Sequence, residues 1–209
     1  MHQYLQDTEY AVQHLLRLAT DEEIQLNALM DTLRKTEAQL KIHQWDFQSS
    51  DLNEDFSDAY VMAAFGRAGR AAQETDRLKV EVAKLQASVG ARQQATQALA
   101  GAVLQIAKQG ISVVHGGPTT APTGRTVGTL SIRDIIWQAR NQSMHYEEGN
   151  FKKALIDLFA TLEAEQGPQF GLAAHPKLNR AKQVLDLLGW SSYSNYKQDM
   201  QALLPWGAA

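Results

Sequence analysis

The sequence predicts an all-α fold from three observations. Two long heptad frames fill the N-terminal half, short capped amphipathic stretches follow residue 130, and no period-two alternation lasts more than a few residues.

The first frame puts Leu5, Val12, Leu15, Ala19, Leu26, Leu29, Leu33 and Leu40 on its a and d positions, with Thr8, Glu22 and Thr36 as polar interruptions. It predicts a helix over residues 3–44. Thr20-Asp21-Glu22-Glu23 has the form of a capping box, but the frame passes through it, which favours one rod over two. Residues 46–56, with Ser49-Ser50-Asp51, make the reversing loop. The second frame is Leu78, Val82, Leu85, Val89, Leu99, Val103 and Ile106, thinning upstream to Ala64, Ala68 and Ala71. It predicts a helix over 56–110 that folds back on the first, so residues 1–110 form a long, coiled-coil-like antiparallel helical hairpin.

Residues 111–130 change character, and the run His115-Gly116-Gly117-Pro118-Thr119-Thr120-Ala121-Pro122-Thr123-Gly124 stops a helix. A loop of this length is long enough to be mobile or functional. It lacks the G-x-x-x-x-G-K-[ST] pattern of a phosphate cradle. Residues 131–209 then form a helical bundle packed on the end of the hairpin. Ser131 and Asp134 cap a helix bearing Ile132, Ile135, Ile136 and Ala139. After Gly149, Asn150 caps a helix over 151–165 with Phe151, Ala154, Leu155, Leu158, Phe159 and Leu162 on its apolar side. Pro176 opens a third helix through Val184, Leu185 and Leu188 that stops at Gly189, and a last one runs over 192–204 to Pro205.

Composition narrows the function. The chain has 209 residues and no Cys, which excludes disulfides, thiolate catalysis and Cys-based zinc sites. Its net charge of -3 provides no global positive field, so any contact with nucleic acid has to be local. No stretch approaches the length of a membrane span, and a soluble, cytoplasmic protein is expected.

Arg140-Asn141-Gln142-Ser143-Met144-His145 is the stretch that carries chemistry. Arg can clamp a phosphate oxygen bidentately, Asn can donate and accept, and His moves protons near neutral pH. Together they cover what phosphodiester transesterification requires, without metal. At about 100° per residue, Asn141 and His145 share a helix face, whereas Arg140 and His145 lie about 140° apart. Either the helix is distorted or a second copy completes the face. Glu147 and Glu148 put negative charge beside a phosphate site, which is tolerable if they face away or hold Arg140 in place. The plainer alternative is a surface Arg, a solvated Asn and a His favoured at its helix end by the macrodipole.

On these residues the chain resembles the HEPN superfamily, the higher-eukaryote and prokaryote nucleotide-binding domains. The signature R-x4-6-H, with a polar residue directly after the Arg, is met by Arg140, Asn141 and His145, and the resemblance covers residues 95–209. It implies a HEPN-like bundle, a homodimer with paired motif faces, and a metal-independent endoribonuclease without a cofactor. It implies an RNA substrate and a role in bacterial defence or a toxin-antitoxin system, with an antitoxin or defence protein as partner. Other family members only bind RNA, nucleotide or protein, and a coiled-coil interaction protein is the remaining alternative.

Lys152 and Lys153, and the group Lys177, Arg180 and Lys182, are candidates for tracking an RNA backbone, although paired basics are commonly a solvated face. Trp137, Trp190, Trp206, Tyr193 and Tyr196 can stack bases, with core packing as their commoner role. No second His stands at helical spacing from His145, so no metal site is expected. His14, His43, His115 and His175 are isolated.

Overall fold

A computed structural model describes residues 2–49 and 58–205. Among these residues the fold is all-α. Its helices are α1 (Gln3–Ser49), α2 (Asp58–His115), α3 (Ile132–His145), α4 (Lys153–Gln166), α5 (Ala181–Leu188) and α6 (Tyr193–Leu203), with a 3-10 turn at Pro168–Phe170. Both long helices extend past their expected ends: residues 46–49 belong to α1, and residues 111–115 form the last turn of α2. The rest of the reversing loop expected at 46–56 lies outside the described residues, as does Trp206.

The chain forms two compact units, one of Met1–Glu22 with Gln94–Ala209 and one of Glu23–Gln93. In the second, the two long helices pair within a single chain, and Gln86 of α2 donates to Glu37 of α1 at 3.2 Å. Leu78, Val82 and Ala71 are buried, whereas Leu26, Leu29, Leu33 and Leu40 are only half-buried. Two helices can cover one seam but cannot close a core around it. Thr36, a polar break in the frame, is buried and satisfies its hydroxyl on the Thr32 carbonyl at 3.0 Å.

The first unit has a full core. Leu5, Val12 and Leu16 of α1 and Val103, Leu104, Ala107 and Ile111 of α2 join Ile132, Ile135 and Ile136 of α3, Phe159 and Leu162 of α4, and Tyr196 and Met200 of α6. Tyr4 fixes the start of α1 against α2: its hydroxyl donates to the Ile106 carbonyl at 2.8 Å, and its ring lies where a Cβ on Gly110 would come within 2.7 Å. Burial pushes the Tyr4 hydroxyl up to about 12.

The segment after α2 is tied down. His115 Nε2 donates to the Leu203 carbonyl at 2.8 Å, and Arg133 Nη1 donates to the Ala121 carbonyl at 2.9 Å. Gly124, at φ +68, lies so close to Ile132 and Leu203 that a side chain would collide. Strands β1 (Thr126–Val127) and β2 (Leu130–Ser131) then pair antiparallel, Thr126 with Ser131 and Val127 with Leu130.

Ser131 caps α3 as its sequence predicts: the Asp134 N–H donates to its Oγ at 3.1 Å, and that Oγ donates to the Asp134 carboxylate at 2.7 Å. Two other starts differ. Gly149 turns at φ +66, and α4 begins only after Lys152, whose side chain makes no cap, so Asn150 is not its N-cap. Ala154, placed on its apolar side, is exposed. The helix expected from Pro176 begins at Ala181 instead. Gln142 claims part of the intervening backbone, donating to the Leu178 carbonyl at 2.8 Å and accepting from the Arg180 N–H at 2.9 Å, so this segment is tied to α3. The end of α5 is as expected: Gly189 is left-handed, Gly189 N–H reaches the Asp186 carbonyl and Trp190 N–H the Leu185 carbonyl, both at 3.0 Å.

Candidate functional site

The motif sits on the last two turns of α3, inside the first unit. That helix buries Ile132, Ile135, Ile136, Ala139, Gln142 and Ser143. Helical geometry puts the opposite side at Trp137, Asn141 and Met144, with Arg140 on one flank and His145 on the other. Asn141 therefore lies between the two charged members of the motif. Met144 is exposed, and Arg140 and Asn141 are half-buried.

α3 runs antiparallel along α2, and successive contacts record the register. A Cβ on Gly101 would stand 3.5 Å from Ser143 Oγ, Arg140 Nε donates to Gln105 Oε1, and Lys108 Nζ lies 4.4 Å from the centre of the Trp137 ring. At Gly101 a side chain would meet Ser143 only at ordinary contact distance, and Gln105 then anchors Arg140. The guanidinium also reaches Asn141 Oδ1 from Nη1 at 3.4 Å. No carboxylate pairs with Arg140 among the described residues. Lys108 is held below the usual lysine range, first by burial and then by the positive charge of Arg140.

His145 is accessible, with its side chain 53% exposed, and its Nδ1 donates to Glu148 Oε1 at 2.7 Å. A carboxylate on Nδ1 fixes the tautomer with Nε2 as the basic nitrogen, the arrangement a proton-transferring imidazole needs. Glu147 is occupied differently, accepting from the Tyr146 hydroxyl at 3.2 Å. Burial and the Glu147 carboxylate together raise the Tyr146 pKa. Neither glutamate holds Arg140 in place. No hydrogen bond or ion pair joins Arg140 to His145 among the described residues; their side chains engage α2 and the turn after α3 respectively.

The other basic candidates are dispersed. Lys153 pairs with Asp157 at 2.7 Å and is exposed, as is Lys152. Lys182 pairs with Asp186 at 2.6 Å. Arg180 is buried, donates from Nη2 to the Gly171 carbonyl at 2.5 Å, and has its pKa lowered by burial against the charge of Glu163, so it is a packing residue and not part of a nucleic-acid surface. Trp190 and Tyr196 are core residues in a T-shaped pair at 4.9 Å.

Sequence reading missed Gln105, Lys108 and Gln142. Gln105 and Lys108 look like solvated flank positions beside the Val103 and Ile106 seam, and their partners on α3 are remote in sequence. Gln142 lies within the motif yet is fully buried; its spacing from Ile135 and Ala139 puts it on the apolar face of α3, a signal masked by its polar side chain.

No known family matches this chain: no family model fits the sequence, and no curated protein and no solved structure is significantly similar to it. Among the described residues no group of three or more His, Asp or Glu side chains is placed to hold a metal ion. No helix among them is long and apolar enough to cross a membrane.

Proposed function

We propose that the chain is a metal-independent endoribonuclease of the HEPN type, acting as a homodimer in bacterial defence or a toxin-antitoxin system. The observation that carries the reading is the His145–Glu148 pair on the exposed flank of α3, with Asn141 standing between it and the carboxylate-free Arg140. In the reaction His145 Nε2 takes the proton of the ribose 2′-hydroxyl as its oxygen attacks phosphorus. The P–O5′ bond breaks, and a proton returns to the 5′-oxygen. The products are a 2′,3′-cyclic phosphate and a 5′-hydroxyl. Arg140 stabilises the charge that builds on the phosphorane-like transition state, and Asn141 orients the phosphate. DNA lacks the 2′-hydroxyl and is left intact.

The test is cleavage of single-stranded RNA by the full chain in EDTA. His145→Ala should reduce the rate by about 10² to 10⁴-fold, the usual worth of general acid-base catalysis. Glu148→Gln should reduce it less, because the imidazole stays in place without its charged partner. Equal cleavage by His145→Ala overturns the reading.

One observation favours a second reading. Arg140 is anchored to Gln105 of α2 and makes no bond to His145, an arrangement suited to holding a phosphate without cutting beside it. RNA binding by a chain that yields no cyclic phosphate would establish this non-catalytic form.

A further inference from the structure

Several basic side chains of this protein stand beside acids. Arg34 pairs with Asp31, Arg77 with Glu74 and Glu81, Arg125 with Asp199, Arg133 with Asp134, Lys153 with Asp157 and Lys182 with Asp186. Lys108 and Arg140 are among the basic side chains that do not. They stand on neighbouring turns of the α2–α3 contact, Lys108 against Trp137 and Arg140 against Gln105, both half-buried, and no ion pair involves either among the described residues, although the chain has more acids than bases, 23 to 20.

Both cations are held in place by neutral groups. Trp137, packed against the core, lies beneath Lys108 Nζ, and Gln105 and Asn141 fix two edges of the Arg140 guanidinium. A face of an aromatic ring attracts an ammonium without neutralising it, and an amide oxygen orients a guanidinium in the same way. The repulsion between the two is evident in Lys108, which burial and the charge of Arg140 together make easier to deprotonate. Two positioned, uncompensated cations leave their attraction available to an anion that arrives from solution. Arg140 keeps its Nη2 donors and Lys108 its ammonium donors, the number and kind that the non-bridging oxygens of one phosphodiester accept.

We infer that Lys108 and Arg140 form a two-cation seat for a backbone phosphate of single-stranded RNA, with Trp137 and Gln105 as the supports that hold the seat open. The inference rests on the reading of α3 as an RNA site, and it adds a residue from α2 that the motif does not contain. It assigns to Arg140 a partner within its own chain, so the seat exists in each protomer whatever the arrangement of the dimer.

The experiment uses the full chain carrying His145→Ala, which leaves RNA uncut, and a fluorescein-labelled short oligouridylate as probe, with anisotropy measured over a series of KCl concentrations. Lys108→Gln should weaken binding several-fold at moderate salt. It should also reduce the slope of log K against log salt, by less than the roughly 0.7 that one phosphate contributes on a single strand, because Arg140 still engages that phosphate. Lys108→Arg should restore both, which a merely structural loss would not do. Adding Arg140→Gln to Lys108→Gln should complete the loss, about 0.7 in total, because both cations serve the same phosphate. An unchanged affinity and slope in Lys108→Gln overturns the seat, and so does an absence of oligouridylate binding. Displacement of the probe by an equal concentration of UMP assigns the seat to a mononucleotide and overturns the RNA assignment. The two readings fail separately. A chain that cleaves RNA with its salt slope untouched by Lys108→Gln keeps the ribonuclease and loses the seat, and a chain that never cleaves but shows the flattened slope keeps the seat and loses the ribonuclease.

Discussion

Gly110 shows how much a single residue decides in this molecule. Mid-helix glycine is unfavourable by about 1 kcal/mol relative to alanine, so propensity alone predicts that Gly110→Ala stabilises α2. Packing opposes it, because the new Cβ would lie 2.7 Å from Tyr4 Cε1 and 3.0 Å from Leu204 Cδ1. Overpacking of this kind costs about 1–3 kcal/mol, and the Tyr4 ring cannot yield freely because its hydroxyl is bonded to the Ile106 carbonyl. Gly110→Ala should therefore lower stability by about 1 kcal/mol in urea unfolding. An increase would mean that the tyrosine swings aside at little cost. Gln142 teaches a related lesson. It stands one position from Asn141 in sequence but on the opposite side of α3, where both ends of its amide are used to bind the 178–180 backbone.

At the scale of elements, one buried carboxylate helps to hold the segment between α2 and β1. Asp199 of α6 accepts from Arg125 Nε at 2.7 Å, Arg125 Nη2 at 2.8 Å and Trp190 Nε1 at 2.8 Å, and the same guanidinium reaches the Leu188 carbonyl. Removing one partner of a fully buried pair costs about 3–5 kcal/mol, but the Arg125 side chain is 45% exposed, so Arg125→Met should cost about 2 kcal/mol. Asp199→Asn in the same background should recover part of that loss, which a double-mutant cycle in denaturant measures. A cost near zero would show that the loop is held by Gly124 and Arg133 alone. The elements of this region were unequally legible in the sequence. The Ser131 cap and the Gly189 stop were readable because their partners lie within five residues. The late start of α5 and the pinned loop were not, because their partners, Gln142 and Asp199, are 38 and 74 residues away from the groups they bind. The same limit governs the site: Arg140, Asn141 and His145 are legible as a motif, whereas Gln105 is joined to Arg140 across 35 residues.

For the whole molecule, the proposed homodimer predicts that the halves of the motif act between two chains. Arg140 and His145 lie on opposite flanks of α3, which favours a symmetric pairing in which the Arg of one protomer serves the His of the other. Complementation tests this. Arg140→Ala and His145→Ala should each be inactive, and a refolded equimolar mixture should regain about a quarter of wild-type cleavage, because half the dimers are mixed and each carries one intact site. A mixture as inactive as its parents would place both groups of each site in one chain.

The unit that bears the motif is built from two separated pieces of sequence, Met1–Glu22 and Gln94–Ala209, with Glu23–Gln93 threaded between them. Topologically the long hairpin segment is an insertion, and the motif-bearing domain is the host. The resemblance that begins at residue 95 therefore marks less than a folding unit, since Leu5, Val12 and Leu16 complete its core from the far side of the insertion. Excision of the C-terminal piece alone would uncover that core.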